Sequence, residues 1–389
     1  MPYEGNIRKF YAFSFFSGLS FAEVVFYLFL LSNGLNYFQI MLLEAWFTLI
    51  ILIMLIPLGI LADFWSRKNI LLIGALGAFI GSIIYAMSSS FVFFLIAETF
   101  WAISIAIMTG TRTSFIYESL KCSNLQDKSK KIFSHSTFYF MLGSVIASLV
   151  GSFVASTYSL RATLYLMVIS QVMKFLIVLT LEEPITMKGI IREMFLENIK
   201  SAVKFVVKND LLRFLISVNI LVSLVSWTGG IYFQPYMQNV GIKVILFGFV
   251  FASVSLASAI FSREAHWIEE SLGMKKTIML YVIIPAVGYL AMSLLLDPII
   301  AVIGIAMVTI MNRFMEPIFA DYYNKIIGSK NRATVNSFIG FIETLIFTMI
   351  SPVIGHFSDV MGIPIVFLSF SAVAFLVAIF AGVKFIRIK

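Results

Sequence analysis

The sequence predicts an all-α polytopic membrane protein: twelve transmembrane helices in two six-helix bundles. Three observations predict it. First, the 389 residues are 60% hydrophobic and only 12% charged, with a mean hydropathy of +0.98. No soluble domain needs that much apolar residue, so lipid is the solvent for most of this surface. Second, the apolar residues come in continuous runs. A helix crosses about 30 Å of hydrocarbon with roughly 20 such residues, and the absence of alternation excludes a β-barrel. Third, the runs fall into two sets of six, separated by the longest polar stretch, Glu182–Asp210.

In chain order, Arg8 and Lys9 precede span one, Phe10–Leu31. That run is too long for a signal peptide and is followed at once by another span, so no cleaved leader is expected. The loop Ser32–Phe38 leads to span two, Gln39–Ala62. Span three, Ile70–Met87, carries Gly74, Gly77 and Gly81, a small-residue row suited to close helix packing in lipid. Span four is Phe91–Leu120, span five Phe133–Ala155 and span six Ala162–Leu181. Within Glu182–Asp210, Ile190, Met194, Val203 and Val207 recur at helical spacing among Lys188, Arg192, Lys200, Lys204 and Lys208. This predicts an amphipathic surface helix joining domains 1–181 and 211–389. Span seven is Leu211–Phe233, span eight Val244–Ser262 and span nine Thr277–Leu296, with a polar loop over Arg263–Lys276. Asp297-Pro298 turns into span ten, Ile299–Ala320. Span eleven, Thr334–Gly355, and span twelve, Ile363–Phe385, complete the set.

The net charge of +8 is a topology signal. Arg161 and Lys243 flank one face, Arg112, Lys174 and Arg313 lie within spans, and every other Lys and Arg falls on the side of the N-terminus. By the positive-inside rule both termini are cytoplasmic in a multi-pass protein of the cytoplasmic membrane. Anionic lipid headgroups are the expected counter-surface, and no nucleic-acid partner is needed. Cys122 is the only cysteine, which excludes an intrachain disulfide. There is no P-loop motif and no Cys/His metal cluster, so neither ATP hydrolysis, a bound metal nor another cofactor is expected.

Between spans two and three lies Gly59-Ile-Leu61-Ala-Asp63-Phe-Trp-Ser66-Arg67-Lys68. It resembles the loop between the second and third helices of the major facilitator superfamily, G-x-L-x-D-x-x-G-R-K/R, with Ser66 in place of the second glycine. Asn331-Arg332-Ala333-Thr334 resembles that family's R-A-T signature before span eleven. At one constant offset Arg112 matches Arg313, Lys131 matches Arg332, Ser136 matches Ser337 and Phe140 matches Phe341, as parallel repeats would. The resemblance covers the whole chain. It implies a monomeric secondary transporter working by alternating access, with Gly59, Asp63, Arg67 and Lys68 as a cytoplasmic gate in which Asp63 and Arg67 form the latch. Two departures stand out. Glu98 occupies the place of the arginine in the L-x-x-R-x-x-x-G pattern of many proton-coupled members, beside Leu95 and Ala102. Span five keeps Gly143 and Gly151 but lacks the proline of the G-P-x-x-G-G-like run common in exporters.

Ionisable residues inside spans are costly and mark pathways by default. Four polar stripes result: Ser17, Ser20, Glu23 and Tyr27 on span one; Glu98, Trp101, Thr109 and Arg112 on span four; Asn219, Ser223, Trp227, Gly230 and Gln234 on span seven; Thr309, Asn312, Arg313 and Glu316 on span ten. In the family resembled, these four helices line the central cavity. The candidates for substrate and coupling are therefore Glu23, Tyr27, Glu98, Arg112, Trp227, Gln234, Asn312, Arg313 and Glu316. Glu23 and Glu98 are the expected protonatable groups, Arg112, Arg313 and Glu316 a charged belt, and Tyr27, Trp227 and Asn312 substrate contacts. The bland alternatives are a self-neutralising Arg313–Glu316 pair, a Lys174 that snorkels to the surface and a Glu44 at the interface. The expected function is proton-coupled movement of a small organic solute, with export among the directions left open. Lipid or lysolipid flipping and a non-transporting receptor of the same fold remain open alternatives.

Overall fold

The structure is a computed structural model that describes residues 3–184, 204–328 and 332–387; within its helices the side chains of Ile56, Gly59, Ile60, Ala62, Asp63, Phe64, Ala333 and Arg387 lie outside the description. Among the described residues there is no strand, and twelve segments are helical, long and apolar enough to cross a membrane. The linker helix expected between the halves, with Ile190, Met194, Val203, Lys188, Arg192 and Lys200, falls almost wholly outside the described residues.

Two compact units result, one formed by Met1–Ile191 with Val244–Phe249, the other by Arg192–Lys243 with Val250–Lys389. In the first, span one is not the single helix the apolar run predicts. It divides into α1 (Glu4–Gly18), a short 3₁₀ turn at Glu23–Val25 and α2 (Phe26–Ser32). The break coincides with close packing of backbone on backbone. A Cβ on Gly18 would strike the carbonyl oxygen of Phe140, and a Cβ on Gly143 that of Phe15, so α1 lies directly against α6 (Ser129–Thr157). Small residues permit this approach where lipid offers no hydrophobic drive between helices.

α3 (Tyr37–Phe64) starts at Asn36, whose side chain accepts from the Gln39 N–H at 2.9 Å while the Gln39 side chain accepts from the Asn36 N–H at 3.1 Å. This reciprocal cap satisfies two of the donors a helix start leaves open. α4 (Arg67–Met87) packs its glycine row on α5 (Phe91–Cys122): a Cβ on Gly81 would sit 2.6 Å from the Trp101 ring and 2.9 Å from the Ala97 carbonyl. α7 (Leu160–Thr180) completes the unit. Arg161 on its first turn donates to the carbonyls of Ala86 (2.9 Å) and Ser88 (2.7 Å), to Asn33 Oδ1 (2.8 Å) and to Ser89 Oγ (2.7 Å). One planar guanidinium thus ties three chain segments together.

The second unit holds α8 (Asp210–Asn239), α9 (Phe247–Arg263), α10 (Ala265–Leu294), α11 (Pro298–Ile326), α12 (Arg332–Met361) and α13 (Ile363–Arg387), although the first residues of α9 group with the first unit. Its core includes Leu212, Leu215, Tyr281, Phe314 and Phe319. The polar stretch Arg263–Lys276, expected as a loop, is helical from Ala265 and is interrupted only at Gly273, whose φ of +76° resets its direction. Buried Ala265 and the Glu269 carboxylate, which accepts from the Tyr322 hydroxyl at 2.7 Å, anchor the extra turns. Asp297 caps α11 by accepting from the N–H groups of Ile299 (2.8 Å) and Ile300 (3.1 Å), with Pro298 in the first turn where its missing N–H costs nothing. Of the Gln234-Pro235-Tyr236 run, the tyrosine is buried and donates to the Met292 carbonyl at 2.7 Å, so its role is to tie α8 to α10.

Candidate functional site

Residues of the first unit line a partly open cavity of 290 Å³. Ser17 on α1 and Ser20 in the interruption of the helix bring one wall; α5 brings Trp101, Ser104 and Arg112; α7 brings Gln171 and Lys174; Phe13, Phe47 and Phe140 supply apolar surface. The stripes on spans one and four therefore do open onto one space, but only in part. Ser17, Ser20, Trp101 and Arg112 line it, whereas Glu23, Tyr27, Glu98 and Thr109 do not.

Span six contributes what the stripe reading missed. Lys174, expected to snorkel, points into the cavity, donates to Gln171 Oε1 at 2.8 Å and stands 5.7 Å from the centre of the Phe13 ring. The signal was present as Ser170, Gln171 and Lys174, three polar residues within one turn of an otherwise apolar run. Arg112 lines the cavity and makes no hydrogen bond or ion pair among the described residues.

Glu98 is 4% exposed and accepts a hydrogen bond from the Tyr85 hydroxyl, which is itself fully buried. The Tyr85 ring lies 4.6 Å from Trp101, 5.0 Å from Phe94 and 5.2 Å from Phe26, centre to centre. Since Trp101 also lines the cavity, the Glu98–Tyr85 pair stands one ring behind its wall. A second acid–tyrosine pair lies nearby. The Tyr27 hydroxyl donates to Glu44 Oε1 at 3.0 Å, and Glu44 and Glu98 interact electrostatically. Glu44 is thus part of this acidic cluster and not a bystander at the interface, and Tyr27 serves the acid. Glu23 sits in the 3₁₀ turn with an exposed side chain.

At the α3–α4 junction, Ser66 explains its own departure from the family pattern. It is the N-cap of α4, accepting from the Asn69 N–H at 3.2 Å. The Glu183 carboxylate reinforces this end by accepting from Ser66 Oγ (2.7 Å) and from the N–H groups of Arg67 (2.9 Å) and Lys68 (2.7 Å). A negative charge at a helix N-terminus is favourable. Arg67 forms an ion pair with Glu118 on α5. The partner foreseen for it, Asp63, has its side chain outside the described residues, as has Gly59 its surroundings.

In the second unit, the Tyr281 hydroxyl lies 3.5 Å from Asn219 Oδ1 and 3.4 Å from Asn312 Oδ1, and Ser223 Oγ lies 3.5 Å from Asn219 Oδ1. Asn312 is therefore held in a polar cluster with α8 and α10. Arg313 and Glu316 pair with each other at 3.4 Å on an exposed face, away from that cluster. Trp227 is 39% exposed and stacks on Phe347 at 4.1 Å, while Gln234, two turns further along α8, is buried. Among the described residues no group of acids, histidines and cysteines could hold a metal ion.

The family profile described as Major Facilitator Superfamily matches residues 10–352. Among solved structures, a mutant of the nucleoside transporter NupG is similar with a TM-score of 0.84 at 14% identity, over 97% of this chain and 99% of that one. A bacterial homologue of the human lysosomal transporter Spinster, inward-facing and unoccupied, gives 0.76 at 15% identity over 98% and 96%. The peptide transporter POT in complex with sulfate gives 0.75 at 12% identity over 98% and 94%. At such identities the likeness is one of fold. No curated protein matches the chain in sequence.

Proposed function

This chain belongs to the major facilitator superfamily and is a transporter, not an enzyme; from that premise we propose that it moves a small organic solute across the cytoplasmic membrane, coupled to protons, by alternating access. The observation that carries the coupling is Glu98: a buried carboxylate whose partner is a tyrosine hydroxyl rather than a cation, one ring away from a cavity. A buried ionisable group of this kind is expensive in a membrane span, and its protonation removes a charge from low dielectric. A ligand or proton shifts a conformational balance only by its differential affinity for the two states. Glu98 supplies such a difference if one state exposes it and the other buries it.

In this reading the cavity of the first unit holds part of the solute. The α3–α4 junction, with Arg67, Glu118 and Glu183, is the cytoplasmic gate, and both termini lie on its side, as the distribution of Lys and Arg supports. With the proton gradient directed inward, exchange of protons for solute drives export.

The experiment is a thermal-shift screen of small-molecule classes on purified protein, followed by flux of the stabilising compounds in proteoliposomes with an imposed pH gradient. Gradient-dependent flux, absent from protein-free vesicles, supports the proposal. Flux indifferent to the gradient removes proton coupling. Stabilisation without flux points to a receptor.

A further inference from the structure

The cavity of the first unit is a donor-rich space without a balancing acid. Among the described residues its charged lining is Arg112 and Lys174, and no Asp or Glu lines it. The two cations interact with each other electrostatically. Arg112 offers a planar fork of N–H groups that nothing among the described residues occupies. Lys174 uses one of its three donors on Gln171 Oε1. That bond also fixes the Gln171 amide: with its oxygen turned to the ammonium, its NH₂ group is the end left without a hydrogen-bond partner. The Trp101 indole N–H is already committed to Ser82 Oγ at 3.2 Å, so the ring face is what Trp101 presents. The remaining walls are the apolar Phe13, Phe47 and Phe140 and the neutral hydroxyls of Ser17, Ser20 and Ser104.

Two unpaired cations in an apolar surrounding are costly to keep, and a paired anion offsets that cost. Guanidinium and ammonium groups together suit a carboxylate or a phosphate, the first by bidentate hydrogen bonds and the second as a point charge. The volume lies at the lower edge of the range for small-ligand sites, about 300–1,000 Å³. Resting on the transporter reading above, we infer that this cavity binds an organic anion, its carboxylate or phosphate held by Arg112, Lys174 and the Gln171 amide and its flat or apolar body laid against Trp101 and the phenylalanines. The same head chemistry occurs on soluble metabolites and on lysolipids, and the two sources differ only in the tail that must leave the cavity.

The test is binding to the purified full-length protein in nanodiscs with paired probes that share an apolar body and differ in carrying an anionic head: phenylacetate against phenylacetamide, phenyl phosphate against benzyl alcohol, and lysophosphatidate against monoacylglycerol. Each anion of a bound pair is expected to bind at least tenfold more tightly than its neutral counterpart. The preference should disappear in Arg112→Gln/Lys174→Gln and persist in part in Arg112→Lys. A preference confined to lysophosphatidate keeps the anion site and assigns it to a lipid headgroup. Equal affinity within every pair for the wild-type protein overturns the inference, as does a preference that survives the double substitution. Should the double variant fail to yield monodisperse protein, the wild-type pairs and Arg112→Lys decide the matter, the latter by a loosened anion affinity with unchanged neutral affinity. Proteoliposome flux separates this inference from the one beneath it. An anion that binds but does not cross overturns transport and leaves the site. A neutral solute that crosses equally well with Arg112→Lys overturns the site and leaves transport.

Discussion

The hydroxyl of Tyr85 donates to the carboxylate of Glu98 inside an enclosure of Phe26, Phe94 and Trp101. The pair joins two helices, α4 and α5, which the Trp101–Ser82 hydrogen bond and the Arg67–Glu118 ion pair also link across a seam of glycines and apolar side chains. It therefore has two separable consequences, one for stability and one for coupling. Tyr85→Phe removes a hydrogen-bond donor from a buried acceptor and should lower the unfolding free energy by about 1–3 kcal/mol. Glu98→Gln keeps the shape and a hydrogen-bonding oxygen but cannot release a proton. It should leave thermal stability near wild type while abolishing gradient-driven accumulation and sparing solute exchange. Thermal unfolding and counterflow assays read the two effects separately.

Arg161 ties α7 to two other segments through four hydrogen bonds from a half-buried side chain. Charge-assisted bonds contribute about 1.5–3 kcal/mol each when isolated, and less where water competes. Arg161→Ala should therefore cost about 2–4 kcal/mol in total. Arg161→Lys should recover only a part, because an ammonium cannot reach two carbonyls and two side chains in one plane. The apparent melting temperatures of the two variants, measured in one detergent, check the order wild type, Lys, Ala.

Ser66 and Glu183 act on the same helix end. Ser66→Ala and Glu183→Ala should each cost about 1 kcal/mol, the usual size of a lost cap. Because Ser66 Oγ donates to the Glu183 carboxylate, the double substitution should cost less than the sum. Ser66→Gly, which restores the common family residue, should cost less than Ser66→Ala, since glycine is itself tolerated at an N-cap. A double-mutant cycle in thermal stability measures the coupling.

A methyl group at Gly143 would collide with the Phe15 carbonyl, whereas one at Gly110 meets nothing within 4 Å. Gly143→Ala should accordingly sharply reduce the yield of monodisperse protein, and Gly110→Ala should be close to neutral. Size-exclusion profiles of both, expressed side by side, check the contrast, and equal behaviour would mean that α1 and α6 are not in backbone contact.

The helices themselves were legible because a membrane span is specified by length and composition alone. The α3–α4 motif was legible because its residues are adjacent in sequence. What could not be read depends on distance in the chain. Nothing near Arg67 in sequence indicates that Glu118 is its partner, or that Glu183 would close the N-terminus of α4. The break after Gly18 was hidden because Phe10–Leu31 reads as one long, mostly apolar run and the contact that accompanies the break, with the Phe140 carbonyl, lies on another helix. The helix at Ala265 was hidden for the opposite reason: its residues are polar on the exposed side, and only burial of Ala265 and the Tyr322–Glu269 bond reveal its packed side. Lys174 illustrates the limit of depth arguments. A lysine near a helix end can always be imagined at the surface, and only the walls around it show that it faces a cavity.

Proton coupling through Glu98 is tested most directly by following internal pH in proteoliposomes carrying a trapped fluorescent indicator, on addition of a solute that stabilises the protein. The account predicts a solute-dependent proton flux in wild type that is lost in Glu98→Gln although the solute still exchanges. Solute movement of the same rate in both proteins, with no change of internal pH in either, would contradict it.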